Sequence, residues 1–256
     1  LTNFIHPNNV KEIRIAMWSG PRNISTALMR SFENRPDTYV TDEPLYSYFL
    51  NETDLKHPGW EGIIRSQNSN WEEIITWLNG AIPNNKSVWY QKHMAHHLID
   101  GDNFRWIKSL KNCFLIRHPK DVIASYTKKF DLSSAEQLGY PQQKELYDWL
   151  CCETDSIPPI IEAQEISKNP LDILQKLCKD LKIKFYKSML SWEKGRRDTD
   201  GFWAKYWYEN VEASTGFIPL SQNEKDIPKQ WKSIYAESLA IYEYLFSKKE
   251  ANAVIS

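Results

Sequence analysis

IRIAMWSGPRNISTALMRSFE, residues Ile13–Glu33, is the stretch whose reading decides the fold. Ile13–Trp18 is a short apolar run without a turn former, as in a strand buried on both faces. Ser19, Gly20, Pro21, Arg22 and Asn23 are turn chemistry and end it. From Ile24 the spacing changes: Ile24, Leu28 and Phe32 recur every four residues, the inner stripe of a helix. A strand that feeds a helix through such a loop makes an anion site. The first N–H groups of the helix lack partners, and the helix dipole favours negative charge there. Arg22 adds a fixed cation, and Ser25 and Thr26 add hydroxyls. An ordinary β–α turn with Arg22 on the surface is the plain alternative.

Further along, Tyr39–Glu43, Ser87–Gln91, Asn112–Ile116 and Pro158–Glu162 read as four more strands. Helices are predicted from Asn70, whose side chain with Glu73 matches a capping box, and over Pro119–Lys128, Pro141–Glu153, Asn169–Leu181 and roughly Ile227–Phe246. Leu1–Lys11 is polar, and residues 194–217 are rich in Gly, Arg and aromatics without a clear period. Alternation of strands and helices predicts a three-layer α/β/α domain over residues 1–256 on a mostly parallel five-stranded sheet. Residues 45–86 and 131–150 enter it as helical insertions. In such sheets ligands sit beyond the carboxyl ends of the strands. The chemistry-bearing residues fall there: Ser19–Arg22 after the first strand, Glu43 after the second, Lys92 and His93 after the third, Arg117 after the fourth.

The balance of 32 basic against 33 acidic residues, net charge -1, excludes a global field for nucleic acid or an anionic membrane, so an anion site must be local. Four cysteines form neither a disulfide framework nor a CxxC pair, which suits a reducing, cytoplasmic compartment. No stretch has the length of a membrane span, and no secretory signal opens the chain. His93, His96, His97 and Asp100 would bring three imidazoles to one face if they lay on a helix. With no cysteine ligand beside them, no metal is expected. The loop lacks GxxxxGK[ST], and Arg117 stands where an Mg²⁺-holding acid would close the fourth strand. Both features point to group transfer in which protein cations carry the charge.

In these motifs the chain resembles the sulfotransferases that use 3′-phosphoadenosine 5′-phosphosulfate (PAPS), and among them small bacterial members with WSGPRNIST, DEP, WYQKH and FLIRHP blocks. The resemblance implies a P-loop-like sulfotransferase fold and release of adenosine 3′,5′-bisphosphate (PAP). It also implies that Ser19, Gly20, Pro21, Arg22, Asn23, Ser25 and Thr26 bind the 5′-phosphosulfate. RHPKDVIASY would supply Arg117 and Ser125 to the 3′-phosphate. Gly195–Lys205 would form a basic loop over the nucleotide with Arg196, Arg197 and Trp203, the last stacked on adenine. Lys92 would lie near the transferring group. Two bases are open, Glu43 and His93, with Glu43 favoured. The expected acceptor is a hydroxyl or amine of a small molecule in a pocket walled by aromatics such as Tyr46, Tyr48, Phe49, Trp60 and Trp71. A homodimer is compatible with the sequence. The alternatives are a nucleotide-dependent phosphotransferase (kinase) and a non-catalytic nucleotide-binding relative.

Overall fold

The computed structural model describes residues 11–99, 101–221 and 226–255. Five strands, β1 (Ile13–Ser19), β2 (Thr38–Asp42), β3 (Val88–Met94), β4 (Lys111–Ile116) and β5 (Ile160–Glu162), form one sheet in the order β2-β3-β1-β4-β5. Every pairing is parallel, with β1 central between β3 and β4. Its burial on both faces explains the unbroken apolar run: Ile13, Ile15 and Met17 join one core, Ala16 and Trp18 the other.

Helix α1 (Ser25–Glu33) covers the first face with α7 (Ala163–Lys168) and α8 (Pro170–Asp180). The predicted stripe holds, with Leu28 and Phe32 fully buried and Ile24 packed against the same core. The second face carries α4 (Trp71–Asn79), α6 (Tyr140–Glu153) and α11 (Lys232–Ile255). Two smaller elements, α2 (Tyr46–Thr53) and α3 (Trp60–Ser66), pack with residues 202–211 in a separate apolar cluster. Asn70 does cap α4, its side chain accepting from the Glu73 N–H at 3.1 Å. The last helix begins later than predicted, after a turn over Lys229–Trp231.

One boundary matters for chemistry. Strand β3 runs three residues beyond the predicted Gln91, so Lys92 and His93 lie inside it and not after it. Side chains alternate across a sheet, so the two must face opposite ways. Lys92 shares the face of Val88 and Tyr90, and His93 that of Trp89. Leu1–Val10 of the polar opening stretch, and Asp100 of the histidine group, lie outside the described residues.

Candidate active site

The loop after β1 is held tightly. A Cβ on Gly20 would come within 2.2 Å of the Leu138 carbonyl oxygen, so only glycine lets the loop rest against the turn before α6. Asn23 is buried and donates its side-chain N–H to the Leu115 carbonyl at 3.1 Å. Arg22 and Ile24 both adopt left-handed backbone, with φ of 62° and 55°. For a β-branched residue this is strained, and such strain gathers where a loop's shape serves a ligand. Helix α1 follows without a side-chain cap, so its first N–H groups open on the cleft beside Ser25 and Thr26.

Strand β4 delivers the second cation. Arg117 donates Nη1 to the Arg22 carbonyl at 2.7 Å, and Tyr140 donates its hydroxyl to the Arg117 carbonyl at 2.7 Å. Arg22 reaches across and donates Nε to Ser125 Oγ at 2.9 Å on α5 (Pro119–Tyr126). Arg22 and the distant pair Arg117 and Ser125 therefore share one wall of a cavity of about 830 Å³. Arg22 has no salt bridge among the described residues, and Arg117 Nε is buried without a hydrogen-bond partner. Burial first, then Arg117, pushes the Arg22 pKa down; burial lowers that of Arg117 against the pull of Asp121. Two partly buried guanidiniums close enough to feel each other's charge favour an anion beside them.

The third part of the cleft is a closed charge cluster. Lys92, 1% exposed, donates Nζ to Asp42 Oδ1 at 2.8 Å, Glu43 Oε1 at 2.6 Å and the Tyr208 hydroxyl at 2.7 Å. Tyr208 donates in turn to Asp42, and the Gly201 N–H adds a donor at 3.1 Å. Burial opposes the Lys92 charge, but Asp42 and Glu43 more than offset it, and the ammonium is held well into the charged form. Glu43 sits just past β2 with a left-handed φ of 42°. Burial raises its pKa, Lys92 pulls it down and Asp42 adds to the rise. One cation between two carboxylates leaves one surplus negative charge, which works with burial to raise the Glu43 pKa.

Residues 13–246 match the family described as the sulfotransferase domain. The chain belongs to that family.

The chain is 34% identical over 244 residues to branched-chain-amino-acid aminotransferase-like protein 1 of Arabidopsis thaliana, a match covering 94% of this chain and 43% of that protein. It is 33% identical over 231 residues to protein 2 of the same name and organism, covering 90% and 41%. The chain thus spans less than half the length of these curated relatives. Among solved structures it is similar to the sulfotransferase domain of the Synechococcus PCC 7002 olefin synthase, at TM-score 0.59 and 18% identity, covering 95% of this chain and 98% of that one. A sulfotransferase from Alicyclobacillus acidocaldarius superposes at TM-score 0.55 and 14% identity, covering 92% and 96%. At such identities the likeness is one of fold, and the fold is that of sulfotransferases.

Within the sulfotransferase domain, the cleft gathers Pro21, Arg22, Asn23, Ser25, Thr26, Glu43, Lys92, Arg117 and Ser125 along its walls. Several expected site residues lie elsewhere. Ser19 is fully buried, its hydroxyl bonded to the His93 carbonyl, and with Gly20 it shapes the loop from behind. His93 stacks on Trp18 with ring centres 4.4 Å apart and lies off the cleft, its pKa lowered by burial to about 3. The longer β3 thus turns His93, the less favoured of the two candidate bases, away from the cleft. Trp203 cannot stack on adenine as placed: it is fully buried, and its indole N–H donates to the Tyr208 hydroxyl. Arg197 pairs with Glu33 at 3.8 Å and Arg196 is exposed, both away from the cleft. The basic run instead ties the end of α1 to the loop, where Asp200 pairs with buried Arg30 at 2.6 Å.

The wall that Gly195–Lys205 was expected to form is supplied further on. Trp207, Tyr208, Asn210, Val211, Ser214, Gly216 and Phe217 line the cleft, from two short helices, α9 (Ala204–Trp207) and α10 (Glu209–Glu212), and the coil after them. The available signal was compositional: a Ser-Thr-Gly turn at Ser214–Gly216 next to aromatics, in a segment without period. Of the aromatics predicted around the acceptor, Tyr46 lines the main cavity and Phe49 a neighbouring one; Tyr48, Trp60 and Trp71 pack in cores. His93 lies on a strand and His96 and His97 on a turn, so the three do not share a helical face.

Proposed function

We propose that this domain moves the sulfuryl group of PAPS to a hydroxyl or amine of a small-molecule acceptor, releasing PAP. The observation that carries the reading is the approach of Arg117 to Arg22, two cations from different strand ends on one cavity, with the Arg117 guanidinium bonded to the Arg22 carbonyl and the Arg22 guanidinium to the Ser125 hydroxyl. The N–H groups that open α1, with Arg22, Ser25 and Thr26, hold the 5′-phosphosulfate. Arg117 and Ser125 hold the 3′-phosphate, with the Arg22 guanidinium reaching Ser125 and so bridging the two subsites. Residues 207–217 cover the nucleoside.

Glu43 is the base. Its Oε1 accepts from Lys92, and the carboxylate lines the cleft, where it takes the proton from the acceptor. The acceptor's oxygen or nitrogen bonds to sulfur as the bond from sulfur to the 5′-phosphate oxygen breaks. The electron pair leaves with PAP, and Arg22 and the loop N–H groups offset the charge. Proton uptake by Glu43 cancels the surplus charge of the Asp42–Glu43–Lys92 cluster, which favours the transfer in a buried site. Residues 45–86 and 131–150 bound the acceptor side, through Tyr46 and His57 from the first and Glu136 and Glu145 from the second.

The kinase reading has less support, because the loop carries no Gly-Lys-[Ser/Thr] and Arg117 follows β4. Thermal titration separates the two. PAP is expected to raise the unfolding midpoint in a concentration-dependent manner, and ATP with Mg²⁺ to leave it unchanged. A shift with ATP–Mg²⁺ and none with PAP would overturn the assignment. Transfer of labelled sulfur from PAPS then distinguishes the enzyme from a non-catalytic relative.

A further inference from the structure

Beside the cleft lies a second cavity of about 400 Å³, and His57, His96 and Tyr126 belong to the walls of both. Its lining is apolar at Phe49, Leu98 and Phe104, and at Leu55 and Ile99, which are 42% and 40% exposed. The charged groups are of one sign. Glu136 and Glu145 line it, with no lysine or arginine, and among the described residues neither glutamate has an ion pair. Gln142 lines it too, and its buried Oε1 has no hydrogen-bond partner. The shared imidazoles do not offset the glutamates near neutral pH, since burial lowers the pKa of His57 and, with His57, that of His96 to about 3.

This is the opposite polarity to the donor wall, where Arg22 and Arg117 stand. A cavity with apolar walls and a few acceptor groups selects a ligand with an apolar body and a cationic donor head. A primary ammonium brings three N–H donors and the complementary charge, while a carboxylate would meet two like charges.

We propose that this chamber selects the acceptor, taking an apolar body that bears a protonated amine near Glu136, Glu145 and Gln142 and directs its hydroxyl past His57, His96 and Tyr126 to Glu43. The inference rests on the sulfuryl-transfer reading of the cleft. It is tested without turnover, by calorimetric titration of the PAP-saturated protein with three phenols of similar shape: tyramine, 4-ethylphenol and 3-(4-hydroxyphenyl)propanoate. Tyramine is expected to bind at least fivefold more tightly than 4-ethylphenol and at least twentyfold more tightly than the propanoate. The double variant Glu136→Gln, Glu145→Gln should bring tyramine within twofold of 4-ethylphenol and leave PAP affinity unchanged. Both glutamates are exposed, so the fold is not at stake. Equal affinities for the three phenols, no binding of any of them, or a preference that survives the double substitution would each overturn the proposal. Failure of PAP itself to bind is a different result, and it removes the donor reading on which the proposal stands.

Discussion

The cleft buries cations in two ways. Lys92 is enclosed with its own partners, two carboxylates and a tyrosine within 2.8 Å. Arg22 and Arg117 are instead set against each other and bonded to a hydroxyl and a carbonyl. The first arrangement is complete in the free protein and holds residues in place. The second holds no ion pair of its own at Arg22 among the described residues, which is the arrangement the proposed binding of an anion requires. Charge count alone would not separate them; the identity of the partners does.

Removing the cations should expose that contrast. Lys92→Met leaves Asp42 and Glu43 buried without a counter-charge and is expected to cost about 3–5 kcal/mol in urea unfolding. Arg117→Met without ligand should cost less, about 1 kcal/mol, since a hydrogen bond to the Arg22 carbonyl and the pull of Asp121 are lost while a repulsion from Arg22 is relieved. Equal losses in the two variants would erase the distinction.

Within the Lys92 cluster, Glu43→Gln should lower transfer of labelled sulfur from PAPS by about a hundredfold or more and leave PAP affinity unchanged. As the proposed base, Glu43 must be ionised for turnover. Its raised pKa therefore places the acid limb of kcat above the ordinary carboxylate value of 4.5, with the rate falling as pH drops through it. A limb at or below 4.5 would contradict the role.

A smaller effect belongs to the buried imidazoles. His93 and His96 are held neutral with pKa values of about 3, while in the unfolded chain they titrate near 6.5. The unfolded state thus binds protons first. Their contribution is present above pH 6.5 and is lost as pH falls from there toward 3, so the urea midpoint should decline steadily between pH 7 and pH 4. Smallest of all, His93→Gln should alter kcat by less than about twofold, because the ring stacks on Trp18 away from the cleft. A tenfold loss would return His93 to the chemistry.

The same contrast marks what could be read from the sequence. Arg22, Arg117 and Ser125 were legible because each stands at a strand-to-helix turn or one helix beyond it, where local pattern fixes position. The Lys92 cluster was legible only in part. Lys92 and Glu43 were both singled out, but the end of β3 was set three residues short, and in a strand that decides which face a side chain takes. Tyr208 was not legible at all. It sits between two four-residue helices, and its partners Asp42 and Lys92 are more than a hundred residues away in sequence. Arg196, Arg197 and Trp203 lie off the cleft, and the sequence gives no warning of it: a basic, glycine-containing run looks alike whether it covers a nucleotide or ties down α1, as Arg197 and Asp200 do here.

The role proposed for Arg22 and Arg117 is to grip a doubly phosphorylated nucleoside from the two ends of the cleft. Calorimetric titration of the unchanged protein and of Arg117→Met with PAP and with adenosine 5′-phosphate tests it directly. PAP should bind the unchanged protein about ten- to a hundredfold more tightly than the monophosphate, and Arg117→Met should abolish the difference. Equal affinity for the two nucleotides, or a PAP preference that Arg117→Met leaves intact, would contradict it.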